Sequence, residues 1–330
     1  MNKPTVMVTG ASGFIGRCLC QQLVKQGHPV IGVYRNSNPP KISELNGIKP
    51  LLIDNIDDST NWSEIPSDCD VIIHLAARVH QMNDTVANPL EAFRKVNTYG
   101  TLKLAQHAEQ LGVKQFIFLS SIGVNGAATT IEKPFTENDV PRPYTPYTQS
   151  KWEAESELNK LASVSNIVVT HIRPPLVYGP GNPGNLLRLF KLVDTGLPLP
   201  FRTVKNKKSF VGIDNLVSAL IKAIDHKNAR NETFVVADDQ SVSLPHLLRI
   251  IAQGLDVPSR LIPFPVPLLL FLTRMIGKQG PLKQLTDSLV IDNRKIKEQL
   301  EWQPIRDTDD GLIEAARAYA NDKKSGQRIP

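Results

Sequence analysis

Tyr147, Lys151 and the pair Ser120-Ser121 are the residues whose types and spacing point most directly to chemistry. Tyr147-Thr148-Gln149-Ser150-Lys151 opens a predicted helix. Positions four apart share a helix face, so a phenol and an ammonium can point at one target. Ser120-Ser121 follows the apolar run Phe116-Ile117-Phe118-Leu119, read as a strand, and sets hydroxyls at its carboxyl end. A phenol that exchanges a proton with a carbonyl or alcohol oxygen, with Ser121 bonding the same oxygen, is an acid–base arrangement. A free tyrosine titrates near pH 10, and lowering that by about 3 units takes roughly 4 kcal/mol. One ammonium about 6.5 Å away, at an effective dielectric of about 20, supplies only about 2.5 kcal/mol. A second positive group is needed. Taken alone, Tyr-x-x-x-Lys is also the spacing of a surface pair on a helix.

The elements that must position these groups begin with Val6-Met7-Val8-Thr9-Gly10-Ala11-Ser12-Gly13-Phe14-Ile15-Gly16, a strand that passes through three glycines into a helix. Gly10 suits a tight turn, Gly13 lets a diphosphate approach the main chain, and Gly16 lets the helix pack close to the strand. Free N–H groups at the helix start then face the anion, aided by the helix dipole. Ser12, Phe14 and Ile15 lie in the same turn. The dinucleotide that such a turn predicts brings the missing charge, an oxidised nicotinamide ring.

Further strands are predicted at Pro29–Tyr34, Pro50–Ile53 and Asp70–Ala77. The residue ending the second strand normally meets the adenosine ribose, where an acid selects NAD and an arginine suits NADP. Here the chain reads Tyr34-Arg35-Asn36-Ser37, with no acid before Glu44, which favours NADP(H) over NAD(H); Arg35 could also be a solvated loop residue. Asn55-Ile56 could hold the adenine, and the small end of the fourth strand, Leu75-Ala76-Ala77, lets a cofactor lie across it. His74 reads as a buried neutral imidazole rather than a catalytic one. Asn88-Pro89 caps a helix running to Leu111, with Asn97 placed mid-helix where its propensity is poor. Strand and helix alternate to about Val177, which calls for a doubly wound parallel sheet in an α/β fold. The expected division is a dinucleotide-binding domain over 1–177 and a smaller, mixed substrate lobe over 178–330, with later segments crossing back.

A chain of 330 residues with 41% hydrophobic content suits a globular protein with two cores. Its formal charge of +6 suits polyanionic small molecules, and no aromatic-basic pattern supports nucleic acid. Cys18, Cys20 and Cys69 are odd in number and lack zinc spacing, so they read as reduced core thiols, with no metal, in a cytoplasmic protein without a signal peptide. The apolar run Leu261–Ile276, broken by three prolines, is too short to span a bilayer. It reads as buried in the lobe or as a membrane-surface helix. Lys205, Lys207 and Lys208 could neutralise a diphosphate or form a solvated basic loop.

These residues resemble the extended short-chain dehydrogenase/reductases, in particular the NAD-dependent epimerase/dehydratase family. The likeness rests on Thr9 to Gly16, His74-Leu75-Ala76-Ala77, Asn97, Ser120-Ser121, Tyr147-x-x-x-Lys151 and Arg173-Pro174-Pro175-Leu176-Val177-Tyr178-Gly179. It continues in Ser209 to Asp214 and in Leu300 to Pro304. It implies a Rossmann domain and hydride transfer at C4 of a sugar held through its diphosphate. It also implies Tyr147, Lys151 and Ser121 as the catalytic set, Ser120 and Pro174 near the cofactor, and Asn185 and Lys208 as substrate contacts. Asn55 replaces a frequent aspartate, and Asn125 replaces the tyrosine of Val-Tyr-Gly, so the sugar pocket is expected to differ from that of UDP-galactose 4-epimerase. The chain is most similar to reductases of UDP-4-keto-6-deoxy sugars, acting on an N-acetylhexosamine for bacterial surface polysaccharide. The alternatives are a 4-epimerase of a UDP-hexose or lipid-linked hexosamine, a hydroxysteroid-type dehydrogenase, and a non-catalytic NADP-sensing regulator. A homodimer is compatible with each.

Overall fold

Val6-Met7-Val8, Val71-Ile72-Ile73 and Phe116-Ile117-Phe118 are apolar on both faces, and runs of that kind belong in a parallel sheet covered on both sides. The computed structural model describes residues 3–79, 88–275 and 279–325; Ile276 and the side chain of Glu44 lie outside what it describes. Its strands are β1 (Val6–Thr9), β2 (Val30–Arg35), β3 (Ile48–Ile53), β4 (Val71–His74), β5 (Gln115–Leu119), β6 (Val168–Arg173), β7 (Leu176–Tyr178), β8 (Phe210–Gly212) and β9 (Glu232–Val235). Seven form one sheet in the order β3-β2-β1-β4-β5-β6-β9, every pairing parallel, and β7 and β8 form a second, two-stranded sheet. This is the Rossmann-type α/β arrangement expected.

The helices are α1 (Phe14–Lys25), α2 (Ile42–Leu45), α3 (Pro89–Arg94), α4 (Thr101–Gln110), α5 (Pro146–Val164) and α6 (Asn185–Asp194). They continue with α7 (Ile213–Lys222), α8 (Leu244–Leu255), α9 (Val266–Met275), α10 (Gln279–Thr286), α11 (Arg294–Leu300) and α12 (Thr308–Lys324). One sheet face is covered by α1 and α7 in a core with Leu19, Leu23, Leu216 and Leu220. The other is covered by α4 and α5 through Leu104, Ala108, Ala154 and Leu158. A third core, around Phe190, Phe210, Leu248 and Ile251, belongs to the later part of the chain. The crossing back is extensive: β9 pairs with β6, and α7 and α11 pack into the first core.

Two expected elements differ. The fourth strand stops at His74, because its partner β1 ends at Thr9 and turns at Gly10; Leu75-Ala76-Ala77 continue unpaired past the sheet. The single helix from Asn88 to Leu111 is three segments, with a π-helical turn at Lys95–Gly100 between α3 and α4. The backbone of Gly100 passes so close to Asp57 that a Cβ there would lie 3.0 Å from the Asp57 Cα. Asn88 does cap α3, its Oδ1 accepting from the Glu91 N–H at 3.2 Å. Cys20 and Cys69 are buried as expected, whereas Cys18 is only partly buried. No helix among the described residues is long and apolar enough to cross a membrane.

Candidate active site

Parallel strands bring all their carboxyl ends to one edge, and the expected site residues follow six of them. Gly10 follows β1, Arg35 ends β2, Asn55 follows β3, Leu75 follows β4, Ser120 follows β5 and Pro174 follows β6. The strand order reverses between β1 and β4, and at such a reversal the connections diverge and leave a crevice. The glycine turn and Leu75-Ala76-Ala77 flank that point.

Gly10 has φ +69°, and a Cβ on it would lie 3.0 Å from the Ala76 nitrogen. A Cβ on Gly13 would lie 3.1 Å from the Gly10 carbonyl oxygen, and one on Gly16 only 2.1 Å from it. No side chain caps α1 and no acid sits in its first turn, so its positive end is uncompensated. Ser12 and Gly13 are exposed, Phe14 and Ile15 partly buried. An uncapped helix start behind a cradle that only glycine can form fits a dinucleotide diphosphate. Gly16→Ala is expected to abolish nicotinamide binding and to destabilise the fold by about 1–3 kcal/mol or more, because the added methyl meets backbone that cannot rotate aside. Thermal unfolding and a cofactor titration check it.

Thr145 caps α5 through a reciprocal bond with Thr148, and Pro146 fits its first turn. This cap fixes where Tyr147 leaves the helix. The ring is partly buried, edge-on to Phe93 with centroids 6.1 Å apart. Ser121 begins the short 3-10 turn Ile122–Val124, its Oγ accepting from the Gly123 N–H at 3.1 Å. A Cβ on Gly123 would lie 2.4 Å from Thr148 Cγ2, so the serine turn rests directly against the helix turn that carries Tyr147. Ser120 and Ser121 separate clearly: Ser120 is buried, while Ser121 is partly exposed. The Ser120 N–H donates to the Ile172 carbonyl, and the Ile122 N–H donates to the Pro174 carbonyl, locking this end of β5 to β6.

Lys151 is buried, donates to the Leu119 carbonyl at 2.8 Å, and lies 4.4 Å from the Phe118 ring centre. Burial pushes its ammonium down to about 7, opposed by the charge of Glu155. Burial pushes the Tyr147 phenol up to about 12. The lowering of the phenol expected from Lys151 is therefore not found in the protein alone: the ammonium is committed to the Leu119 carbonyl, and burial dominates. His74 is neutral and structural, pushed down to about 3 by burial, between the Thr9 and Thr101 hydroxyls at 2.8 and 3.0 Å.

Asn97 is fully buried in the π-turn. It accepts from the Arg78 N–H at 2.8 Å and donates to the Arg78 carbonyl and the Ser150 Oγ, each at 3.0 Å. Ser150 in turn donates to the Tyr147 carbonyl at 2.8 Å. Asn97 thus ties the end of β4 to the turn bearing the tyrosine. Asn125, expected near the sugar, is 1% exposed, with its amide held by Arg173 at 3.0 Å and by the Thr136 carbonyl at 2.6 Å. It is part of a buried network that sequence reading missed: Arg173 Nε and Nη2 clasp Glu155 at 2.9 and 2.5 Å. Glu155 lies four residues beyond Lys151, on the same helix face as the tyrosine–lysine pair, and that spacing was the available signal.

Arg35 and Asn55 are exposed and Ile56 is partly buried. Beside Arg35, the Asn36 side chain donates to Asp54 at 2.7 Å. Asn185 is exposed at the start of α6, and Lys208 is partly buried, its ammonium pushed down by burial and pulled up by Asp287. No described contact joins either to Tyr147. Lys205 and Lys207 are exposed.

The family model of the NAD dependent epimerase/dehydratase family matches residues 6–237, from β1 through β9. The chain belongs to that family. It is 37% identical to a UDP-glucose 4-epimerase of Vibrio cholerae over 96% of this chain and 95% of that one. It is 23% identical to a dTDP-4-dehydro-6-deoxyglucose reductase of Escherichia coli, over 94% and 96% of the two chains. The solved UDP-glucuronic acid 4-epimerase of Bacillus cereus, in complex with NAD, shares the fold with a TM-score of 0.75 at 20% identity, covering 97% of this chain and 99% of that one. This family is one of NAD-dependent nucleotide-sugar epimerases, dehydratases and reductases. Both its description and the NAD-bound neighbour name NAD, and neither supports the NADP preference read from Arg35.

Proposed function

We propose that the protein reduces the C4 ketone of a UDP-linked 4-keto-6-deoxy-N-acetylhexosamine, for bacterial surface polysaccharide, with Tyr147 as proton donor and NADPH as cofactor. The observation that carries this reading is the contact between the helix turn that bears Tyr147 and the Ser121 turn at the carboxyl edge of the sheet, with a phenol that burial pushes further up from its ordinary value. A proton donor is what a ketone needs as its oxygen becomes an alkoxide. A bound nicotinamide would supply the hydride, its diphosphate held by the turn from Gly10 to Gly16 and its 2′-phosphate by Arg35. Ser121 donates a second hydrogen bond to the C4 oxygen. Lys151 holds the nicotinamide ribose. Asn185 and Lys208 contact the substrate diphosphate; an anion there offsets the burial that now weakens the Lys208 ammonium.

A second reading, a UDP-hexose 4-epimerase, is favoured by the Vibrio cholerae relative. It would retain NAD and require Tyr147 to accept a proton first. Mixing the pure protein with NADPH and the 4-keto sugar decides between them. Stoichiometric loss of the reduced-nicotinamide absorbance is expected. Arg35→Ala is expected to raise KM for NADPH about 10–100-fold, the worth of one bond to a charged group, and to change KM for NADH far less. No loss of absorbance, with NAD already bound to the purified protein, favours the epimerase.

A further inference from the structure

Segments 195–208 and 257–286 contain eight of the 38 Lys and Arg residues, four in each, and none of the 32 Asp and Glu. The two are laced together: the Leu199 N–H donates to the Arg260 carbonyl at 2.8 Å, the Ile262 N–H to the Leu199 carbonyl at 3.0 Å, and the Asn206 side chain to the Leu285 carbonyl at 3.0 Å. The acids at their borders are Asp194, bonded to Lys323 and Tyr319, Asp256, which closes α8, and Asp287 near Lys208. Within α9, Val266, Leu269 and Leu270 turn into the third core. Leu268, Phe271 and Met275, spaced three and four apart along the outer face, are 46%, 59% and 73% exposed. In the laced segments Leu197 and Ile262 are also exposed, as are Arg260 and Arg274.

We propose that this face docks the protein on the anionic surface of a lipid bilayer. The apolar side chains of α9 and Ile262 enter the headgroup region, and the exposed cations of the two segments, among them Arg202, Lys205, Lys207, Arg260 and Arg274 but not the partly buried Lys208, are drawn to anionic lipid. An apolar face is covered either by a bilayer or by protein. A second copy of this chain in a two-fold contact would set the same unbalanced positive charge against itself, which disfavours that occupant. The charge complement of this surface is a dense anionic layer. The inference is independent of which nucleotide sugar the crevice takes.

Co-sedimentation of the full chain with phosphatidylcholine vesicles, with and without about 30% phosphatidylglycerol, tests it. Binding to the anionic vesicles is expected to exceed binding to neutral ones at least tenfold and to fall severalfold when salt is raised from about 0.1 to 0.5 M. Leu268→Ser with Phe271→Ser, and separately Arg260→Glu with Arg274→Glu, are each expected to reduce it about tenfold with unchanged thermal unfolding. Absence of binding to anionic vesicles at low salt overturns the proposal. So does binding that neither pair of substitutions alters, or a wild-type dimer that L268S/F271S converts to a monomer.

Discussion

Tyr147→Phe is expected to lower kcat by about 10²–10⁴-fold, the range for removing a positioned acid, while nicotinamide binding stays within about threefold. The substitution deletes one oxygen and keeps the ring edge-on to Phe93, and the cap at Thr145 and Thr148 does not use the phenol. Stability should therefore hold, and a loss of rate at unchanged Tm isolates the proton transfer. Burial places the phenol at about 12 and Lys151 at about 7, so the two groups cross the working pH range differently. The phenol stays protonated throughout, and the pH dependence belongs to the ammonium, which loses its charge as pH rises through its own value. A rate profile that falls on the alkaline side, and that keeps this limb in Ser121→Ala, is the expected signature.

The second large effect is on folding. Glu155 is 1% and Arg173 4% exposed, and the guanidinium clasps the carboxylate through two nitrogens. Glu155→Gln leaves that guanidinium buried without its counter-charge, and a loss of about 3–5 kcal/mol is expected. The pH dependence has a definite sign. Burial pushes the Glu155 carboxyl up, but the two bonds and the charge of Arg173 more than offset it, so the folded value lies below the ordinary one. A depressed carboxyl contributes stability above its unfolded value, about 4.3, and loses it as pH falls through the folded value. The gap between wild type and E155Q should therefore be widest at neutral pH and close in acid, as read by urea unfolding. The same variant removes the charge that holds the Lys151 ammonium up, so its alkaline limb should move to lower pH. A purely structural role for Glu155 would leave that limb in place.

The parallel sheet and the glycine turn were legible in the sequence because both are local. Apolar runs such as Val71–His74 specify buried strands by themselves, and three glycines at fixed offsets specify a close approach of turn and helix. The face shared by Tyr147 and Lys151 follows from helical spacing alone. What could not be read depended on distant partners. The reach of β4 was set by where β1 turns away, not by the small residues Leu75-Ala76-Ala77. The Lys151 ammonium was expected to point at the same target as the phenol, but it donates to the Leu119 carbonyl, 32 positions earlier. Asn125 was read against a sugar, and its amide instead joins Arg173 and Thr136, a fact of tertiary packing. The π-turn around Asn97 has no periodicity to betray it. The apolar run from Leu261 proved to face two ways: Leu269 and Leu270 enter a core, and Phe271 does not.

The measurement closest to the central claim follows the hydride itself. The enzyme is incubated with NADPH deuterated at its transferable position and a UDP-4-keto-6-deoxy-N-acetylhexosamine, and the product sugar is examined by NMR. The account predicts one deuterium at C4 of a reduced sugar, formed at a rate that Tyr147→Phe lowers at least a hundredfold. Unlabelled product, or labelled product whose rate Tyr147→Phe leaves unchanged, would contradict it.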